Sequence, residues 1–227
     1  MTSPFSRLVF SAGLTVLLAA CAGTPVPDWK MNARTATERA TAAYLEGNTR
    51  IETQEFKQAR SEIARTGRAD LLARVELTRC AGRVASLVLE DCPEFEKLRQ
   101  DAAAPERAYA DFLAGRIKTQ DIALLPPQHR AVAGAASDTA AAAALQNIED
   151  PLAQLVAAGV LFRSKRATPA VLNAAVDTAS AQGWRRPLLA WLGVQALRAE
   201  HAGDSVAAAQ LRRRIALVQN AAPSSQP

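Results

Sequence analysis

Aromatic side chains are scarce, with 5% of the chain contributed by six Phe, three Trp and two Tyr, and there are only two histidines, His129 and His201. The histidines stand in distant segments, and no cysteine or carboxylate has the spacing to complete a metal site with either. Both are therefore expected on the surface, and no metal is expected. Every glycine is isolated, which excludes a glycine-rich phosphate loop, and no Gly-x-Ser-x-Gly, Ser-x-x-Lys or His-Glu-x-x-His set occurs. Glu90-Asp91 and the pair Glu94 and Glu96 lie beside a turn, but nothing separates them from ordinary helix-end acids, whereas glycoside cleavage needs two carboxylates facing each other across a cleft. No catalytic residue and no cofactor are expected. A sustained alternating run of β-branched residues is also missing, which argues against sheet.

What remains is rich in Ala, Leu, Arg, Gln and Glu, and the expected fold class is all-α. Phe56, Ala59 and Ile63 form an apolar stripe at helical spacing, and Leu77, Cys80, Val84 and Leu87 continue it in the next helix. Asn48 or Thr49 can cap one helix, Gly67 separates two, and Pro105 suits the first turn of another that runs through Tyr109, Phe112 and Leu113 to Gly115. Leu124-Leu125-Pro126-Pro127 cannot be helix interior and is expected to be a joint. Beyond it, helices are expected near 137–147, 150–163, 169–181, 185–201 and 204–219, with Thr168 a cap and Pro169 at the first helical position. Short helices and brief turns suggest antiparallel pairs stacked into a solenoid-like or bundle arrangement. The expected layout is a helical half at 29–116, the joint at 117–136, a second half at 137–219 and a disordered tail at 220–227.

The formal charge of the 227-residue chain is +5, carried by 5 Lys and 22 Arg against 22 acids. The basic residues are interleaved with acids rather than clustered, so no nucleic-acid partner is expected. Arg212-Arg213-Arg214 falls on the outer side of the last helix, opposite the stripe Ala207, Leu211, Ile215 and Val218.

Residues 1–20 hold one charge, Arg7, followed by an apolar run from Leu8 to Ala20, the layout of a secretory signal peptide. That run is too short to cross a bilayer as a helix. It ends in Leu18-Ala19-Ala20-Cys21, which resembles the lipobox of bacterial lipoproteins. The resemblance implies cleavage before Cys21, a diacylglycerol on its sulfur and three acyl chains on the mature N-terminus. Several chains give stable anchoring where one is marginal. An ordinary signal peptide with a chance cysteine is the alternative. Ala22 stands where many inner-membrane lipoproteins have Asp, so the implied address is the periplasmic face of the outer membrane. Residues 22–28, AGTPVPD, are a short extended tether, and the folded body begins near Trp29. Without the leader's Arg7 the mature charge is 5 − 1 = +4.

Cys80 and Cys92 remain, and in an oxidising compartment a disulfide between them is expected. Twelve residues of unbroken helix would hold their Cα atoms about 18 Å apart, against the roughly 4.4–6.8 Å that a disulfide needs. The helix carrying Cys80 must therefore end first, around Val88 to Asp91, with Pro93 suiting the break. A redox-active pair is the sharper alternative, but the Cys-x-x-Cys spacing is absent.

Residues 188–218 resemble a tetratricopeptide repeat, with small Ala196 and Ala199 on one helix, Gly203-Asp204 at the turn and Ala208 on the next. Small residues there let two helices pack closely. Arg212 departs from the pattern, as does the lack of a closing proline, and Ala42 to Asn48 is a fainter echo. The chain as a whole resembles Gram-negative envelope lipoproteins, which implies a location and no activity. Trp184-Arg185-Arg186 with Trp191 is the most distinctive patch, and Trp and Arg dominate binding hot spots. It could hold a protein partner, or Trp191 could pack between helices while Trp184 staples a helix start. The expected function is a lipid-anchored helical scaffold or adaptor for an envelope protein. The alternatives are binding of an anionic envelope component, lipopolysaccharide or peptidoglycan, and a wall hydrolase.

Overall fold

A computed structural model describes residues 26–221. The leader, Cys21 and most of the tether lie outside the described residues, as does the tail beyond Ala221. Eleven α-helices and two 3-10 turns follow one another, and no strand occurs among the described residues. The chain is all-α, with its helices packed in pairs.

The first pair is α1 (Asp28–Glu46) and α2 (Thr49–Ala64). Ala33, Ala36 and Ala40 on α1 are small enough to let Phe56, Ala59 and Ile63 of α2 close against them, and the two stripes bury each other. Gly47, at φ +92°, turns the chain. The Asn48 side chain then accepts from the Ile51 amide at 3.2 Å, so Asn48, and not Thr49, is the cap. Gly67 at φ +67° delivers the chain into α3 (Ala69–Ala85).

Helix α3 packs on α1 and α2 at one side and on α5 (Ala104–Leu113) and α8 (Pro151–Arg163) at the other. Helix α8 is buried from Leu155 to Leu161, as a helix that is apolar all round must be. Gly159 lets it meet α3 backbone to backbone, because a Cβ at that position would run into the Val84 carbonyl oxygen. α3 stops at Ala85, earlier than the Val88–Asp91 expected from the cysteine spacing. Leu87 takes a left-handed φ of +59° without being glycine, and the sequence gives no sign of that. Cys92 turns the chain again at φ +48° into the one-turn α4 (Pro93–Glu96). Cys80 and Cys92 thereby stand at disulfide distance, with Cα atoms 5.6 Å apart.

The stretch 117–136 holds a 3-10 turn, Thr119–Leu124, and the short α6 (Pro127–Ala133). It is woven into the interior, since Leu125 and Val132 belong to the same apolar cluster as Leu77 of α3 and Leu155 of α8. The helices on either side of the prolines therefore share one core. His129, expected on the surface, is only 1% exposed. Its ring stacks with Tyr109 at 5.6 Å and lies 5.0 Å from Phe112. α6 is too short to show a periodicity that would have marked an inward face. His201 is exposed, as expected.

The remaining helices are α7 (Asp138–Gln146), α9 (Pro169–Ala181), α10 (Arg185–His201) and α11 (Ser205–Asn220). Their starts follow the capping residues. Ser137 accepts from Ala140 N at 3.1 Å, Asp150 from Ala153 N at 2.6 Å, Thr168 from Val171 N at 3.4 Å and Asp204 from Ala207 N at 2.9 Å. Ala196 and Ala208 are buried where α10 and α11 pair.

Candidate binding groove

Of the two readings of the Trp and Arg patch, a partner site or a packing element, the structure has the second, a fastening within the molecule. Trp191 is 0% exposed, edge-on to Phe162 at 5.8 Å, and its Nε1–H donates to the Ala85 carbonyl at 3.0 Å. A residue so enclosed cannot touch a partner, and its assignment to a binding surface is corrected. Trp184 sits half-buried at the start of α10, against the main core. Arg185 donates to the carbonyls of Val218 at 3.1 Å and Gln219 at 2.9 Å, in the last turn of α11. Arg186 donates to the Tyr44 carbonyl at 2.7 Å and to Thr49 Oγ1 at 2.9 Å, and its guanidinium lies 4.4 Å over the Tyr44 ring. Carbonyls in a helix's last turn have no intrahelical donor, and a planar fork with several N–H groups satisfies them as an ammonium cannot.

Arginine does the same work elsewhere. Arg163 reaches the Glu90 carbonyl at 3.1 Å and the Asp91 carboxylate, Arg166 the Ala135 carbonyl at 2.8 Å, and Arg130 the Leu125 carbonyl at 2.8 Å. The excess of Arg over Lys thus serves loop and helix ends. The acids considered for hydrolysis are also engaged. Glu90 takes Arg83 at 2.8 Å, Glu94 takes Lys97 at 2.7 Å and Glu96 takes Arg99 at 2.7 Å. The hydrogen bond from Lys97 lowers the Glu94 carboxyl, so the group is held as an anion. Arg212 pairs with Glu200 across the last hairpin at 2.7 Å, leaving Arg213 and Arg214 exposed.

Two buried acids escaped the sequence reading because their partners are on another helix. Glu52 of α2 accepts from Arg79 Nε at 2.9 Å, and Glu76 of α3 takes Arg60. The Phe56 ring lies between the arginines, 4.4 Å from Arg79 and 6.0 Å from Arg60. Burial raises the Glu76 carboxyl despite the opposing pull of Arg60 and Arg79. These pairs lock α2 to α3 and face no substrate-sized space.

Open space lies on the outer face of α3. On one side is a cleft of about 300 Å³ between Trp29, Ala33 and Thr37 of α1 and Leu71 and Val75 of α3, with Ile63 at its floor. On the other is a basin of about 380 Å³ walled by Leu77, Tyr109, Leu124, Leu125, Pro126 and Pro127. Arg74 and Thr78 line both. Arg74 donates through Nε and Nη2 to Glu106 Oε1 at 3.0 and 2.6 Å, while Glu106 Oε2 is buried without a partner. Burial also raises the Tyr109 phenol, which stays protonated and able to donate at neutral pH. The groove is apolar in its walls and carries donors and one idle acceptor where its two compartments meet. That composition suits apolar side chains flanked by polar backbone.

None of Trp29, Arg74, Tyr109 or Leu124 stood out in the sequence as a site residue, since each looks like an ordinary member of its own segment. Among the described residues no group of three or more His, Cys, Asp and Glu could hold a metal. No helix among them is long and apolar enough to cross a membrane. Comparison with protein-family models, curated proteins and solved structures finds no match to the chain.

Proposed function

We propose that this protein is a lipid-anchored envelope scaffold, tethered through Cys21 to the periplasmic face of the outer membrane, whose basin beside α3 receives a protein partner. The single observation that carries the reading is the basin itself, with Leu124 39% exposed above the two prolines and with Tyr109, Arg74 and Arg130 at its edges. Tyr and Arg around an apolar depression are the residues on which interfaces concentrate their affinity. The anchor rests on the leader and the Leu18-Ala19-Ala20-Cys21 sequence. A role in binding anionic envelope components draws less support, because Arg163, Arg166, Arg185 and Arg186 are already engaged by carbonyls and carboxylates of the chain.

A photo-crosslinking residue at Leu124 in living cells tests the reading. The expected result is one reproducible protein adduct, lost on Tyr109→Ala and not formed from Gln210 on the far helix α11. Equal labelling from both positions, or no adduct at Leu124, would overturn it.

A further inference from the structure

The cleft between α1 and α3 differs from the basin in chemistry and in place. Its long walls are Trp29, Ala33 and Leu71, Val75, with Ile63 beneath, and all five are apolar. Along its rim Arg34 is paired with Glu38 at 2.8 Å and Arg74 with Glu106, and Lys30 at the mouth is the one charge there without an ion-pair partner among the described residues. A phosphate or a carboxylate would find no free fork there. An uncharged apolar chain would leave the Arg34 and Arg74 pairs intact, and Lys30 at the exposed mouth keeps its water. From Trp29 to Thr37 the cleft follows α1 for about 12 Å at the helical rise.

Position adds the second argument. The cleft opens at Trp29 and Lys30, in the first turn of α1. Cys21 precedes Trp29 by eight residues, so it stays within about 29 Å of the cleft mouth even at full extension. Two acyl chains are enough for stable membrane attachment, and the lipobox implies three. One chain is then free to leave the bilayer. We infer that the cleft between α1 and α3 is the seat of an acyl chain borne on the protein's own residue Cys21. That chain would draw the first turn of α1 down to the membrane and fix how the α3 basin faces the periplasm. The inference rests on the lipidation proposed above.

The experiment compares the lipidated protein, purified in detergent, with the chain from Ala22 onward, which holds every described residue. Each is titrated with dibrominated stearate, whose bromines quench nearby tryptophan fluorescence. Saturable quenching with one site is expected for the unlipidated chain, absent after Trp29→Phe and weakened at least about tenfold by Leu71→Glu through loss of apolar wall. Should the charge disturb folding, as judged by circular dichroism, Leu71→Ala serves with a smaller loss in the same direction. The lipidated protein should show no saturable quenching, its cleft being filled. Equal quenching of both forms would mean the cleft takes lipid from outside, and quenching of neither would leave it to a protein segment; either result overturns the inference. The mass of the N-terminal peptide is read separately. A peptide without lipid on Cys21 removes the anchor and this inference together, whereas a lipidated peptide with the wrong quenching removes only the inference.

Discussion

Replacing His129 by phenylalanine should abolish a specific part of the protein's acid sensitivity. Burial beside Tyr109 and Phe112 drives the His129 imidazole down to about 4, with the Asp150 carboxylate pulling weakly the other way. In the unfolded chain the group returns to about 6.5. A base whose folded pKa is depressed gives its full stability above the unfolded pKa and loses it as pH falls toward the folded one, because only the unfolded state accepts the proton. Between pH 7.5 and pH 5 the loss works out at about 2 kcal/mol, rising to about 3 kcal/mol at pH 4. His129→Phe keeps a ring in the stack and has no proton to bind. It also removes a buried Nδ1 that has no hydrogen-bond partner, so at pH 7.5 the variant should be no less stable than the parent. Urea unfolding followed by circular dichroism at pH 7.5, 6 and 5 gives the difference between the two proteins at each pH. Taking that difference cancels every other titrating group, including Glu76, whose raised carboxyl works in the opposite sense. The variant should gain about 2 kcal/mol on the parent between pH 7.5 and 5. A difference that stays flat with pH would refute the reasoning.

Gly159→Ala would gain up to about 1 kcal/mol if helix propensity alone acted, but the added methyl collides with the Val84 carbonyl. Overpacking of about 1–3 kcal/mol should dominate, and the melting temperature should fall; a rise would show that α3 and α8 can separate without cost. Arg186→Lys removes the fork that joins α10 to Tyr44 and Thr49, at a cost of about 1–2 kcal/mol. Amide exchange should quicken in α1 and α2 and stay unchanged in α8, and a uniform change across the chain would count against a local fastening.

The helices from α7 onward were legible almost to the residue, whereas α6 lay unread inside the stretch expected to be a joint. Asp150-Pro151, Thr168-Pro169 and Asp204 announce their own starts through caps that act within three residues, and Gly183 and Gly203 announce the ends. What could not be read depends on contacts across the chain. Arg186 meets Tyr44 at a separation of 142 residues, and no local pattern distinguishes it from a solvated arginine. The same holds for Trp191, whose partner Ala85 is 106 residues away. The candidate groove was hidden for a related reason. Its walls come from α1, α2, α3, α5 and the proline stretch, so each contributes a few residues that look ordinary where they stand. The early end of α3 turned on a leucine in the left-handed region, a choice that tertiary packing imposes.

The bond from Trp191 to the end of α3 and the grip of Arg186 on the first hairpin also set an order of assembly. α1 and α2 are neighbours in the chain and can pair as soon as both exist. The helix that follows them cannot finish its burial until α8 is present, and the first hairpin, already locked to α3 through Glu52–Arg79 and Arg60–Glu76, is tied to α10 only once Arg186 has been made. A chain delivered from its N-terminus therefore carries a first hairpin fixed to α3 for most of its length, and ties it to α10 when the last fifth arrives. Ends far apart in sequence are brought together late, and a truncation just before Arg185 should loosen the first hairpin while leaving it seated on α3.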